Sequence, residues 1–266
     1  MTKAPTEPQL EPKLPVMFGR KPRPPLLSTL RFGILFAAGT APVLSISLYV
    51  FGVLPMTVAA AFLVIPLALT AAVLILRRSP EAVWAGRGVV AGCFAVTAYD
   101  AVRLPLVATN VWPDFIPRMG GWVLGTYTNE VFVGYVWRFL GDGGGIGCAY
   151  FLFIGALAVV RPKLVAGRPV ALSVGYGIFI WTGLLVTVVV APRGEELLFA
   201  LTPASFSLSL LGHLIYGGVL GVFLRAVVRK QRPRTSVLAA QRIPRQRERS
   251  PELMGTTSHA EDRIAG

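Results

Sequence analysis

The chain is short of charge, histidine and cysteine, and each shortage excludes something. Charged residues fill 15% of its 266 positions, against roughly 25% in soluble domains, so it cannot furnish the solvated surface of an ordinary globule. Its two histidines are His213 and His259. His259 stands in a polar tail, which excludes bis-histidine haem and a multi-histidine metal centre within one chain. No cofactor and no metal are expected. The two cysteines, Cys93 and Cys148, form no CxxC pair and fall at different depths of separate apolar segments, which excludes a disulfide between them. Acids are scarce too, with 13 Asp+Glu against 26 Lys+Arg and a net charge of +13. That basic excess is confined to tails and short loops, so a nucleic-acid partner is excluded as well.

What the chain has in abundance is apolar sequence, 54% of the total. A bilayer core about 30 Å thick is crossed by roughly 20 apolar residues in a helix. Six segments meet that requirement: Phe32 to Val53, Met56 to Leu76, Gly88 to Ala108, an irregular stretch between Glu130 and Val160, Val170 to Ala191, and Ala204 to Leu224. Long apolar runs without period-2 alternation exclude a β-barrel. The expected fold is all-α, a polytopic membrane bundle of six transmembrane helices. Its transmembrane domain covers 31–228, between a Pro-rich basic tail (1–30) and a basic tail (229–266), both expected to be disordered. The first apolar run is long enough to span, so the N-terminal tail is not expected to be a cleavable signal peptide.

Orientation follows from the basic residues. Twenty-two Lys and Arg lie on the side of the two tails, Arg118 and Arg193 lie opposite, and Arg103 and Arg138 fall within spans. Both termini are therefore expected to be cytoplasmic. Arginine outnumbers lysine 21 to 5, which suggests a GC-rich bacterial genome and hence a bacterial inner membrane. The cluster from Arg242 to Arg249 is a candidate contact for anionic lipid, at about 1 kcal/mol per basic residue near such a surface. The lipid bilayer is the obligatory partner, with a homo-oligomer or a partner membrane subunit as further expectations.

Three places interrupt the apolar pattern. In span three, Cys93, Thr97 and Asp100 fall on one helical stripe with Arg103 on its flank, and Tyr99 is expected to point elsewhere. Asp100 and Arg103, spaced i,i+3, can pair along the helix. In segment four, five glycines lie within the seven residues 141–147, each costing about 1 kcal/mol in a helix interior. The 31 residues from Glu130 to Val160 would extend about 46 Å as one helix, so a broken element is expected. An outer piece would end near Leu140, Gly141 to Gly145 would unwind, and a second helix would run on to Val160. Non-helical backbone at membrane depth survives only when buried or lining a wet cavity. In span six, Ser209, Gly212, His213 and Tyr216 share a face, and Gly217 and Gly221 form a small-xxx-small seam for another helix.

Span direction places Asp100, Arg103, Arg138, Asp142 and His213 in one layer. Charges at that depth cost about 2.5–3.5 kcal/mol each, so they are expected to pair, Asp100 with Arg103 or Arg138 and Asp142 with one of the arginines. An intramembrane ionisable group is a functional candidate by default. The candidate binding residues are therefore Asp100, Arg103, Arg138, Asp142, Gly143, Gly144, His213 and Tyr216, with no catalytic residue assigned. The alternative is a clamp that merely ties helices together. The loop from Thr109 to Asn129, with Trp112, Pro113, Phe115, Pro117 and Trp122, reads as an interfacial aromatic belt or, alternatively, as a lid.

Gly212-His213-Leu214 with Gly217 and Gly221 resembles the histidine–glycine segment in the sixth span of rhomboid intramembrane proteases. Gly145-Ile146-Gly147-Cys148 stands where their glycine-flanked serine lies. The resemblance implies a Cys148/His213 dyad in place of the family's serine and histidine. The departures are substantial: no serine occupies that position, span two holds no histidine, and Trp137-Arg138 lies in a different part of the chain from the family's Trp-Arg pair. The chain is not assigned to that family. Three function classes follow: transport of a small polar or ionic solute, a non-catalytic assembly or accessory role, and an intramembrane enzyme using Cys148 or Asp142 with His213.

Overall fold

A computed structural model describes residues 25–230. The expected disorder of both tails and the Arg242–Arg249 lipid contact lie outside the described residues. Among the described residues the structure is all-α, without strands, and six helices are long and apolar enough to cross a membrane. The chain is a multi-pass membrane protein. The long helices are α1 (Pro25–Val50), α2 (Met56–Leu76), α3 (Pro80–Ala108), α5 (Val131–Val160), α7 (Pro169–Val190) and α9 (Pro203–Lys230). Short helices lie between them: α4 (Ile116–Leu124), α6 (Pro162–Gly167) and α8 (Gly194–Leu197). Six successive crossings return the chain to its starting side, called here the terminal end; the opposite side is the far end.

One helix boundary and one internal turn have local causes that hydropathy alone does not register. Helix α3 begins at Pro80, eight residues before the apolar run. Ser79 caps it by accepting from the Ala82 amide at 3.3 Å, Pro80 occupies the first turn where its missing donor costs nothing, and Glu81 is buried there, accepting from the Ser28 hydroxyl of α1. Helix α2 carries a π-helical turn at Ala60–Val64. Pro66 has no N–H for the carbonyl four residues back, and the wider turn lies where that regular bond is missing.

The expected break in segment four does not occur. Helix α5 runs unbroken from Val131 to Val160, with Trp137–Gly145 wound as a π-helix. Its glycines serve close approach rather than unwinding. A Cβ on Gly92 of α3 would stand 2.1 Å from the Gly143 carbonyl oxygen, one on Gly147 would stand 2.3 Å from that of Gly88, and one on Gly145 would stand 2.7 Å from that of Gly39 in α1. Two glycine pairs spaced i,i+4 thus mesh α3 with α5, the geometry by which small residues bring helices together in a bilayer. The result makes α5 the central helix: 72% of its most apolar window is buried, against 22% for α2 and α7.

The seam expected on span six is filled by α7. Gly217 and Gly221 approach Ser173 and Val170, and Gly177 faces the His213 carbonyl. Hydrogen bonds from Trp181 Nε1 to Ser209 Oγ (3.0 Å), between the Tyr150 and Ser173 hydroxyls (2.5 Å) and from the Tyr176 hydroxyl to the Ile146 carbonyl (3.2 Å) tie α7 to α9 and α5. Each such bond contributes on the order of 1 kcal/mol.

The far-end loop folds over that end of the bundle as a lid. Trp112, Ile116 and Met119 are buried, and Gly120 and Gly134 bring α4 against the start of α5. Trp122 packs on Tyr49 at 4.9 Å between ring centroids. Arg118 donates to the carbonyls of Leu197 (2.9 Å) and Glu196 (3.3 Å), fastening α4 to α8.

Candidate functional site

The intramembrane charges meet in one place, about a third of the way in from the far end. Arg138, in the π-helical stretch of α5, donates to Asp100 Oδ1 of α3 at 3.2 Å and stands 3.9 Å from Asp142 Oδ2, one turn along its own helix. Its guanidinium lies over the Tyr99 ring, 4.7 Å from the centroid, a cation–π contact of about 2 kcal/mol when desolvated. Arg103 is fully buried. It stands 3.8 Å from Asp100 Oδ1, and its chief partner is Asp114 of the lid. Asp114 also accepts from the Tyr135 hydroxyl at 3.3 Å and from the Ile116 amide at 3.1 Å, so the same carboxylate holds the first amide of α4 and latches that helix to α3 and α5.

Tyr99, Asp114 and Tyr135 were not among the residues that the sequence marks out. Tyr99 does not point elsewhere: it lies between Arg138, the His213 ring (5.6 Å, edge-on) and Trp112 (6.2 Å). Gly212 makes this arrangement fit, because a Cβ there would fall 2.2 Å from the Tyr99 ring. Thr97 leaves the expected stripe; it is exposed and bonds the Cys93 carbonyl of its own helix at 2.8 Å.

Three carboxylates therefore face two guanidiniums. With all five ionised the cluster carries one negative charge in excess, not the balanced quartet that span residues alone suggest. The pairing is also incomplete. Asp100 Oδ2, Asp142 Oδ1 and Arg138 Nε are buried without a hydrogen-bond partner, and buried polar atoms are ordinarily satisfied by protein, water or ligand.

Beside this cluster lies a cavity of about 440 Å³. Its polar lining is Arg103, Arg138, Asp142, Ser209 and His213, with Ser47, Thr182 and Thr187 on α1 and α7; the rest is chiefly apolar and aromatic. Trp112, Phe115 and Ile116 of the lid, together with Leu198 and Phe199, roof it at the far end. His213 Nδ1 donates to the Ser209 carbonyl at 2.7 Å, which places the proton on that nitrogen because a carbonyl only accepts.

Other sequence candidates stand outside the cavity wall. Gly143 and Gly144 face α3, with Val96 and Gly92 against the first and Cys93 and Val89 against the second. Tyr216 donates to the Gly143 carbonyl at 2.7 Å, bracing the π-helical turn from behind. Cys148 directs its thiol at the Leu35 carbonyl of α1 (3.7 Å), while His213 bonds its own helix, so the dyad that the rhomboid resemblance implies is not assembled. No family model, curated protein or solved structure gives a match to this chain.

Proposed function

We propose that the protein transports a small polar or ionic solute through the cavity beside the charge cluster, and that it lies in the cell membrane with both termini cytoplasmic. The reading rests on one observation: Asp142 is 8% exposed, faces the cavity, and keeps Oδ1 without a partner. A carboxylate held this way has lost hydration that a bound solute or proton can restore. In this scheme Asp142 is the binding group. Asp100 and Arg138 hold its neighbourhood in place, and the Arg103–Asp114 latch fixes the lid at the far end.

The test is flux into proteoliposomes with a panel of labelled inorganic ions, amino acids and organic amines. At least one solute is expected to move in a protein-dependent manner, and Asp142→Asn is expected to slow it tenfold or more at equal amounts of folded protein. Flux retained in the Asp100→Asn/Asp142→Asn double variant, or no flux of any member of the panel, would overturn the reading. A second reading, a clamp within a larger assembly, is favoured by the glycine seams and the multiply bonded arginines. It expects the variants to lose abundance and not flux alone.

A further inference from the structure

The three carboxylates of the cluster are unequally served by donors. Asp114 accepts from Arg103, from the Tyr135 hydroxyl and from the Ile116 amide. Asp100 accepts from Arg138 at 3.2 Å and has Arg103 at 3.8 Å. Asp142 receives no hydrogen bond from any described residue; its nearest cation, Arg138 Nη1, stands 3.9 Å away, beyond hydrogen-bond reach. Two guanidiniums thus satisfy two acids, and the third is left over at a depth where a charge costs about 2.5–3.5 kcal/mol. The groups packed around it do not make up the deficit. On α5 itself there is Arg138, for which Asp100 and Asp142 compete. From α3 come Asp100, Tyr99 beneath the guanidinium, and Cys93, whose thiol donates to the Phe139 carbonyl. From α9 come Tyr216, which donates to the Gly143 carbonyl, and His213, which bonds Ser209 and forms no ion pair with Asp142. The parts of α1 and α7 that line the cavity carry no ionisable side chain.

We infer that Asp142 is a proton-binding site, whose carboxyl holds one proton while the other four charges of the cluster stay ionised, and exchanges it through the cavity. The inference rests on the reading of this cavity as a transport path and names the ion to which solute movement is coupled. A buried carboxylate without a full counter-ion sheds its charge by protonation, and one proton on Asp142 makes the cluster neutral. Exchange runs through Oδ2: Oδ1 is buried, whereas Oδ2 is not sealed and the side chain lines the cavity. In the exchange the carboxyl O–H bond breaks, its electron pair stays on Asp142, and the proton passes to water in the cavity. The carboxylate so formed has one cationic neighbour, Arg138, whose Nη1 carries no hydrogen bond and stands nearest to Oδ2. Arg138 then divides its donors between two acids, and it serves Asp100 alone once the proton returns.

The experiment is infrared difference spectroscopy of the full chain in nanodiscs at neutral pH. Wild type minus Asp142→Asn is expected to show the stretch of one protonated carboxyl. That band should move to lower frequency in deuterium oxide, and again in protein grown with carbon-13 in the aspartate carboxyl. The isotope shift is read in the wild type itself, so a wild-type spectrum without a protonated aspartic acid overturns the inference whether or not the variant folds. A band that survives in folded Asp142→Asn overturns it as well. Coupling is read in proteoliposomes that enclose a pH-sensitive dye. A solute moved by the wild type is expected to shift the internal pH, and Asp142→Asn to reduce that shift at least tenfold at equal amounts of folded protein. Flux with neither the band nor a pH shift would remove the proton site and leave the transport reading standing. The band without flux of any solute would keep Asp142 as a proton site and remove transport, and the band with flux but no pH shift would remove the coupling.

Discussion

Arg138 is the residue on which the buried cluster depends, since it alone reaches both Asp100 and Asp142 and also covers Tyr99. Removing the charge of Asp100 leaves that guanidinium at membrane depth with one carboxylate at 3.9 Å. Breaking a buried pair from one side typically costs 3–5 kcal/mol. Asp100→Asn is therefore expected to lower the unfolding temperature in detergent markedly, and the triple variant Asp100→Asn/Arg138→Gln/Asp142→Asn to recover part of the loss, because Arg103 and Asp114 then remain as a matched pair and no charge is stranded. A single variant as stable as the wild type would show that the pair does not hold the helices. The four span charges were legible in the sequence, because charges in an apolar run must find one another. Asp114 was not, since its place depends on a lid whose fold no periodicity encodes. Nor was Tyr99: its ring occupies a hollow that exists only because residue 212 on another helix is glycine.

At the scale of elements the glycines of α5 carry the main lesson. Clustered glycine has two physical readings, a weak helix and a close approach, and they share one signature within a single segment. The deciding information lay on another helix, where Gly88 and Gly92 repeat the i,i+4 spacing of Gly143 and Gly147. The consequence is measurable. Gly92→Ala puts a methyl 2.1 Å from a backbone oxygen that cannot swing aside, so α3 and α5 must separate, at the 1–3 kcal/mol or more typical of overpacking. Gly33→Ala on α1 meets nothing within 4 Å and is expected to change stability by less than about 1 kcal/mol. Equal thermal stability of the two variants would contradict the seam. The start of α3 was readable in principle from Ser79-Pro80-Glu81, a cap, a first-turn proline and an early acid. Hydropathy hides it, because Glu81 and Arg87 delay the apolar run.

For the whole molecule, six apolar helices place Arg161, Lys163 and Arg168 at the terminal end and Arg118 and Arg193 at the far end. The far-end pair is not free to act as an orientation signal in the folded protein: Arg118 is bonded to carbonyls of α8, and Arg193 forms a 2.6 Å pair with Glu196. On the proposed topology the terminal side is cytoplasmic, held there by basic residues that resist translocation during insertion. Cysteine labelling in intact cells tests this without disturbing the bundle. Gly167, at the terminal end, is exposed and would accept a side chain with nothing within 4 Å; Glu195, at the far end, is exposed as well. A membrane-impermeant maleimide is expected to modify Glu195→Cys from outside at once and Gly167→Cys only after permeabilisation, with the native Cys93 and Cys148 as a low background because neither is exposed. The opposite pattern would reverse the cytoplasmic assignment of both termini. It would also turn the lid of α4, with its Arg103–Asp114 latch, towards the cytoplasm.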